Sequence, residues 1–200
     1  MEYVTDKKEI ILDKELNNLD KFVLEFTELL DEYVVVSGYV SILFGRSRMT
    51  EDVDLLIPFM PKKEFQDIWK KLLDNDFWCI NTSDVNEAFD MLKEHAIRFS
   101  KENMPIPNMK FKIMKNEIEK FAYENKIKVI IGGKILFISP LELQVAYKLH
   151  LGSEKDLEDA RYLYNLFKDK INKEELDYSI EKLGVNDKRR FIENGKHKRY

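Results

Sequence analysis

Apolar residues at Leu16, Leu19, Phe22, Val23, Phe26, Leu29 and Leu30 recur at spacings of three and four. Such spacing lines one face of a helix and predicts a helix over residues 13–33, with Asp13 as its cap. A β-branched run, 34–36, predicts a buried strand. Ser37-Gly38 interrupts it, a short helix is predicted over 39–44, and Gly45 closes that helix. Residues 46–51 are polar and loop-like, and 53–57 read as a second buried strand ended by Pro58. Pro61 opens a helix carrying Phe65, Ile68, Trp69, Leu72 and Leu73. Then follow a strand at 77–81, a helix at 84–94, a strand at 96–100, a proline-bearing loop and a strand alternating over 109–114. A helix at 117–124 precedes two alternating runs, 126–131 and 134–139, joined by Gly132-Gly133 as a tight hairpin. After Pro140 the pattern is helical throughout, at 141–151, 156–167, 173–183 and 186–192, before a basic tail at 196–200. Strands mixed with helices, then helices alone, predict an α+β fold. The expected division is a core over 1–139 and a helical C-terminal region over 140–200 packed on it.

Composition narrows the classes. The 200 residues are 44% hydrophobic and carry a net charge of -4, a globular balance without the strongly basic signature of a nucleic-acid coat. Cys79 is the single cysteine, which excludes an internal disulfide and a cysteine-based zinc site. It lies in the apolar stretch Phe77-Trp78-Cys79-Ile80 and reads as core. No apolar run approaches a membrane span, and no signal-like segment follows the first charges, so a cytoplasmic protein is expected. His95, His150 and His197 have no metal-ligand spacing.

The chemistry concentrates between residues 37 and 55. Asp52 and Asp54 are two apart, and positions two apart on a strand share a face. Two carboxylates side by side repel unless a cation or proton lies between them. Hard oxygen ligands suit Mg²⁺, which keeps waters and recruits substrate phosphates. A Ser37-Gly38 turn opening a helix offers backbone N–H groups to an anion. Together the two features would hold a nucleoside triphosphate.

These residues resemble the nucleotidyltransferase superfamily, whose signature is a glycine turn followed by an Asp-x-Asp strand. Gly38-Tyr39 with Arg48-x-Thr50-x-Asp52-x-Asp54 is similar to a minimal prokaryotic branch that includes toxins of abortive-infection toxin–antitoxin pairs. A second stretch supports that: Ser139-Pro140-Leu141-Glu142-Leu143, Lys148-Leu149 and Lys155-Asp156-Leu157-Glu158-Asp159. The resemblance implies a nucleotidyltransferase-like mixed sheet with flanking helices. It implies Mg²⁺ on Asp52 and Asp54, and Ser37, Gly38, Arg48, Thr50 and Lys148 around the nucleotide. Asp156 and Asp159 fall at the far edge of the pocket, and Asp156 is the candidate base. The implied partners are a nucleoside triphosphate, a protein or RNA acceptor, and a cognate antitoxin.

Each residue also has a plainer reading. Lys148 can snorkel from its helix, Asp156 can favour a helix N-terminus, Asp159 can decorate a surface, and Arg48 can brace Asp54 or Glu51. The pattern is departed from twice. A bulky Tyr39 follows the glycine, and the strand expected to bring a third carboxylate has no acid, its best-aligned position being Lys112. The second departure keeps an alternative open: a catalytically silent member of the same fold that binds a nucleotide or a partner protein.

Overall fold

A computed structural model describes residues 1–193, so the basic tail at 196–200 lies outside the described residues. Nine strands form one mixed sheet in the order β1-β2-β8-β9-β3-β4-β7-β6-β5. They are β1 (Glu2–Val4), β2 (Glu9–Leu12), β3 (Val34–Val36), β4 (Asp52–Ile57), β5 (Phe77–Cys79), β6 (Ile97–Lys101), β7 (Asn108–Ile113), β8 (Ile127–Ile131) and β9 (Lys134–Ile138). The helices are α1 (Asn18–Thr27), α2 (Gly38–Leu43), α3 (Lys62–Leu73), α4 (Val85–Glu94), α5 (Glu117–Glu124), α6 (Leu141–Leu151), α7 (Glu154–Phe167), α8 (Lys173–Lys182) and the short α9 (Arg190–Glu193). This is the mixed sheet with flanking helices that the resemblance implies, within the α+β class that the pattern predicts.

The differences have local causes. The first helix starts at Asn18 rather than near Asp13, because Asn17 and Asp20 form a reciprocal capping box. Residues 13–17 are left outside it, and Lys14 instead donates to the Leu43 carbonyl at 3.0 Å and meets Asp20 at 2.9 Å. Strands β1 and β2 were not legible: β1 is three residues long and pairs only with β2, and β2 adds in parallel to β8. The Gly132-Gly133 hairpin forms as expected, both glycines taking positive φ.

Strand β4 decides what faces what. Val53, Leu55 and Ile57 are buried, while Asp52 and Asp54 on the opposite face are half-buried. Strand β7 runs parallel to it and splits in the same way, with Met109, Phe111 and Ile113 buried and Lys110 and Lys112 half-buried. The buried face meets an aromatic cluster in which Phe26, Phe99 and Phe111 pack at ring centroid separations of 5.7 to 6.3 Å. Such pairs add about 0.5–1.5 kcal/mol each beyond burial. One continuous apolar core runs from this cluster through β8 and β9 to Leu149, Leu163, Phe167 and Ile180 of the C-terminal helices. Cys79 is part of it, 4% exposed, and burial pushes its thiol pKa up. Among the described residues no helix is long and apolar enough to cross a membrane.

Candidate functional site

Strand β3 ends at Val36 and is followed by Ser37, whose backbone takes φ 65 and ψ -135. That is a conformation side chains avoid, costing about 1–3 kcal/mol. The chain holds it there with Gln144 of α6, which is buried. The Gln144 side-chain amide donates to the Ser37 carbonyl at 2.6 Å and accepts from the Ser37 N–H at 3.2 Å. The Ser139 hydroxyl donates to the same Gln144 oxygen at 2.9 Å. The strained turn is therefore clamped by the segment that follows β9. Ser37→Gly should relieve the strain and raise stability by about 1 kcal/mol, or about 2–4 °C in Tm. A thermal melt showing no gain would mean that the clamp, not the dihedral, sets the energy there.

Gly38 answers a different need. A Cβ at this position would lie 1.8 Å from the Arg48 Nη2 atom, so the guanidinium lies directly over the turn. Gly38→Ala must displace it. The displaced group is the end of a flexible side chain, so the stability cost should stay under about 1 kcal/mol, while any ligand contact made by Arg48 is lost. Melting and ligand titration on the same variant separate the two effects.

Tyr39 does not crowd the turn. It is 1% exposed, points into the core, and its hydroxyl donates to Asp20 at 2.8 Å. Burial, then the neighbouring Asp20 charge, push its pKa far above the ordinary phenol value. The bulky residue after the glycine is thus a core residue with a buried hydroxyl.

Arg48 belongs to a buried charge cluster that joins the two sequence motifs. Its Nη2 lies 3.4 Å from Asp159, not near Asp54 or Glu51 as the bracing expectation had it. Asp159 is fully buried and also meets Arg46 at 2.6 Å and Lys148 at 3.1 Å. Lys148, 2% exposed, meets Asp156 at 2.7 Å. Ser153 caps α7 and donates its hydroxyl to Asp156 at 2.5 Å. Burial pushes the Asp156 pKa up, but the hydrogen bonds from Lys148 and Ser153 outweigh it, leaving the carboxyl below its usual range. Within the cluster the Arg48 Nε is buried and has no hydrogen-bond partner among the described residues. Asp159, for which the spacing allowed a surface position, is the centre of the cluster. Nothing in helical periodicity separates a buried acid from an exposed one; three cations converging from two motifs do.

Of the carboxylate pair, Asp54 opens on a cavity of about 240 Å³, while Asp52, two residues earlier on the same face of β4, does not line it; nor do Gly38, Arg48 and Thr50. Asp54 lines it together with Ser37, Lys110, Lys112, Glu119, Gln144 and Tyr147, and Leu143, Ile118 and Leu151 add apolar lining. Thr50 braces the entry to β4 by donating to the Asp52 carbonyl at 2.7 Å. The residue opposite Asp54 is Lys110, not Lys112. Asn108 sets this register: its backbone N–H and its side-chain amide both donate to the Glu51 carbonyl at 3.0 Å, starting β7 one residue earlier than the alternation suggests. The Lys110 ammonium lies 3.1 Å from Asp54, whereas Lys112 is paired with Glu119 of α5. Lys148 and Asp156 do not line this cavity; they reach the turn only through Asp159 and Arg48. Asp156, with two donors on its carboxylate, is placed as a brace and not as a base over an acceptor.

Among the described residues no group of three or more acids, histidines or cysteines could cage a metal unaided. Asp54 on the cavity wall, with Asp52 half-buried on the same face of β4, fits Mg²⁺ in its common mode, held by one or two carboxylates with substrate phosphates completing the shell.

No protein-family model matches the chain, and no curated protein matches it in sequence. Solved structures do match in fold. An antigenic nucleotidyltransferase-like protein from Paracoccidioides brasiliensis superposes with a TM-score of 0.51 at 18% identity, over 82% of this chain and 85% of that one. The antibiotic-resistance factor ANT(2'')-Ia in solution gives 0.53 at 8% identity, over 82% and 90%. Its crystal structure in complex with adenylyl-2''-tobramycin gives 0.52 at 10% identity, over 83% and 95%. The superpositions span most of every chain concerned, so the likeness is one of overall architecture: this chain has the nucleotidyltransferase-like fold.

Proposed function

We propose that the chain transfers a nucleoside monophosphate from a nucleoside triphosphate to a hydroxyl of a protein or RNA acceptor, with Mg²⁺ held by Asp52 and Asp54. The observation that carries this is the cavity in which Asp54, the strained Ser37 turn and Lys110 converge. Its polar lining suits phosphates and its apolar lining, with Tyr147, suits a nucleoside. In this reading Ser37 and Gly38 present the turn to the phosphates. Arg48, whose Nη2 lies over Gly38, supplies a fixed positive charge at the turn. Thr50 fixes where Asp52 enters the site. Lys148, Asp156 and Asp159 keep Arg48 in place. The ion, when bound, neutralises charge on the transferring phosphoryl group. The acceptor oxygen bonds to the α-phosphorus, the bond to the bridging oxygen breaks, pyrophosphate leaves, and the acceptor proton passes to solvent.

A toxin role with a cognate antitoxin extends this reading and rests on the motif resemblance. A second reading is a catalytically silent nucleotide-binding or protein-binding member of the fold. One observation favours it: an ammonium, not a third carboxylate, stands on Asp54.

Incubation with α-labelled triphosphates, Mg²⁺, and separate RNA and protein acceptor pools distinguishes them. Label should enter one pool and be released by ribonuclease or protease according to the acceptor. Tight nucleotide binding with no label in either pool would establish the silent reading instead.

A further inference from the structure

We infer that Lys110 is the second cation of this site, occupying the place a second metal ion would take, so that one divalent ion serves with the triphosphate. The inference rests on the proposed nucleotide–metal reading and deepens it. Parallel pairing puts Lys110 directly opposite Asp54, and the ammonium lies 3.1 Å from the carboxylate. Both side chains are about one-third exposed and line the same cavity, so the charge is presented to a ligand and not sealed in a core. Arg98 is the next residue in the row, opposite Lys110 on β6, and it offers Lys110 no counter-charge on that side. Lys112 is not an equivalent candidate, because Glu119 already takes its ammonium.

The electrostatics are balanced without a second ion. Two carboxylates, one ammonium and one divalent ion leave a single positive charge facing the phosphates. A two-metal site with three carboxylates leaves the same charge. Here the acids to hold two ions are missing among the described residues. Lysine cannot ligate while protonated, and its charge opposes a second ion nearby. Lys110 therefore positions Asp54 and meets the triphosphate, and it fixes the metal count at one.

The test is a Mn²⁺ titration followed by electron paramagnetic resonance, with a non-hydrolysable triphosphate present. The intact chain should bind one Mn²⁺ per triphosphate. Lys110→Asp, which supplies a third carboxylate, should bind two. Lys110→Gln should still bind one, with triphosphate affinity weakened about tenfold, the effect of one charge-assisted contact. Two Mn²⁺ on the intact chain would overturn the inference and leave the proposed function standing. So would unchanged triphosphate affinity in Lys110→Gln, which serves as the deciding variant if Lys110→Asp does not fold. Absence of any triphosphate or Mn²⁺ binding by the intact chain would overturn the underlying reading itself.

Discussion

Under the proposed function, alanine at both Asp52 and Asp54 should reduce nucleotidyl transfer by about a thousandfold or more, while the melting temperature barely moves. The size follows from what the pair is proposed to supply: stabilisation of phosphoryl charge by a positioned ion is worth several kcal/mol, and each 1.36 kcal/mol is tenfold in rate. The near-constant stability follows from burial. Both acids are half-buried, and Asp54 and its partner Lys110 are about one-third exposed, so the ion pair that is lost is largely solvated. Such pairs contribute about 0–1 kcal/mol. The substitution also removes the repulsion of two adjacent carboxylates. Transfer and thermal melts measured on the same preparation check both halves. Loss of transfer together with a large fall in Tm would instead make the pair part of the scaffold.

The opposite profile is expected at Asp159. Asp159→Ala leaves Lys148, 2% exposed, with Asp156 alone, and leaves Arg46 and Arg48 without their shared acid. Removing one partner of a buried pair costs about 3–5 kcal/mol, because the remaining charge stays desolvated. For a chain of this size the fall in Tm should be on the order of 10 °C. Glu158 is the internal control. It also meets Arg46, at 2.5 Å, but its side chain is 53% exposed. Glu158→Ala should therefore change stability by less than about 1 kcal/mol. Urea unfolding of both variants reads the difference; equal effects would show that burial is not what gives Asp159 its weight. Transfer by Asp159→Ala should also fall, since Arg48 loses its tether over Gly38.

Most of the fold was legible because most elements are long and periodic. The Gly132-Gly133 hairpin, the alternation along β4 and β7, and the apolar stripes of α3 and α4 all carry a clear period. What was hidden depends on partners distant in sequence. Strand β2 becomes a strand by pairing with β8, more than a hundred residues away. The true start of α1 depends on the Asn17–Asp20 box outweighing the apolar residue at Leu16. In the site, the acid pair and the glycine turn could be read from spacing alone. The choice of Lys110 over Lys112 could not, because the two share a face of β7 and only the pairing of β7 with β4, where Asn108 binds Glu51, puts Lys110 opposite Asp54. Gln144 gave no local signal either; its role as the clamp on Ser37 exists only once α6 packs beside the turn.

The central claim is that Asp52 and Asp54, beside the Ser37 turn, form a Mg²⁺-dependent nucleotide site. Calorimetric titration of the chain with a non-hydrolysable triphosphate, with and without Mg²⁺, tests it most directly. The account predicts saturable one-to-one binding that requires Mg²⁺ and is lost when both aspartates are replaced by asparagine. Equal binding with and without the ion, or binding that survives the double replacement, would contradict it.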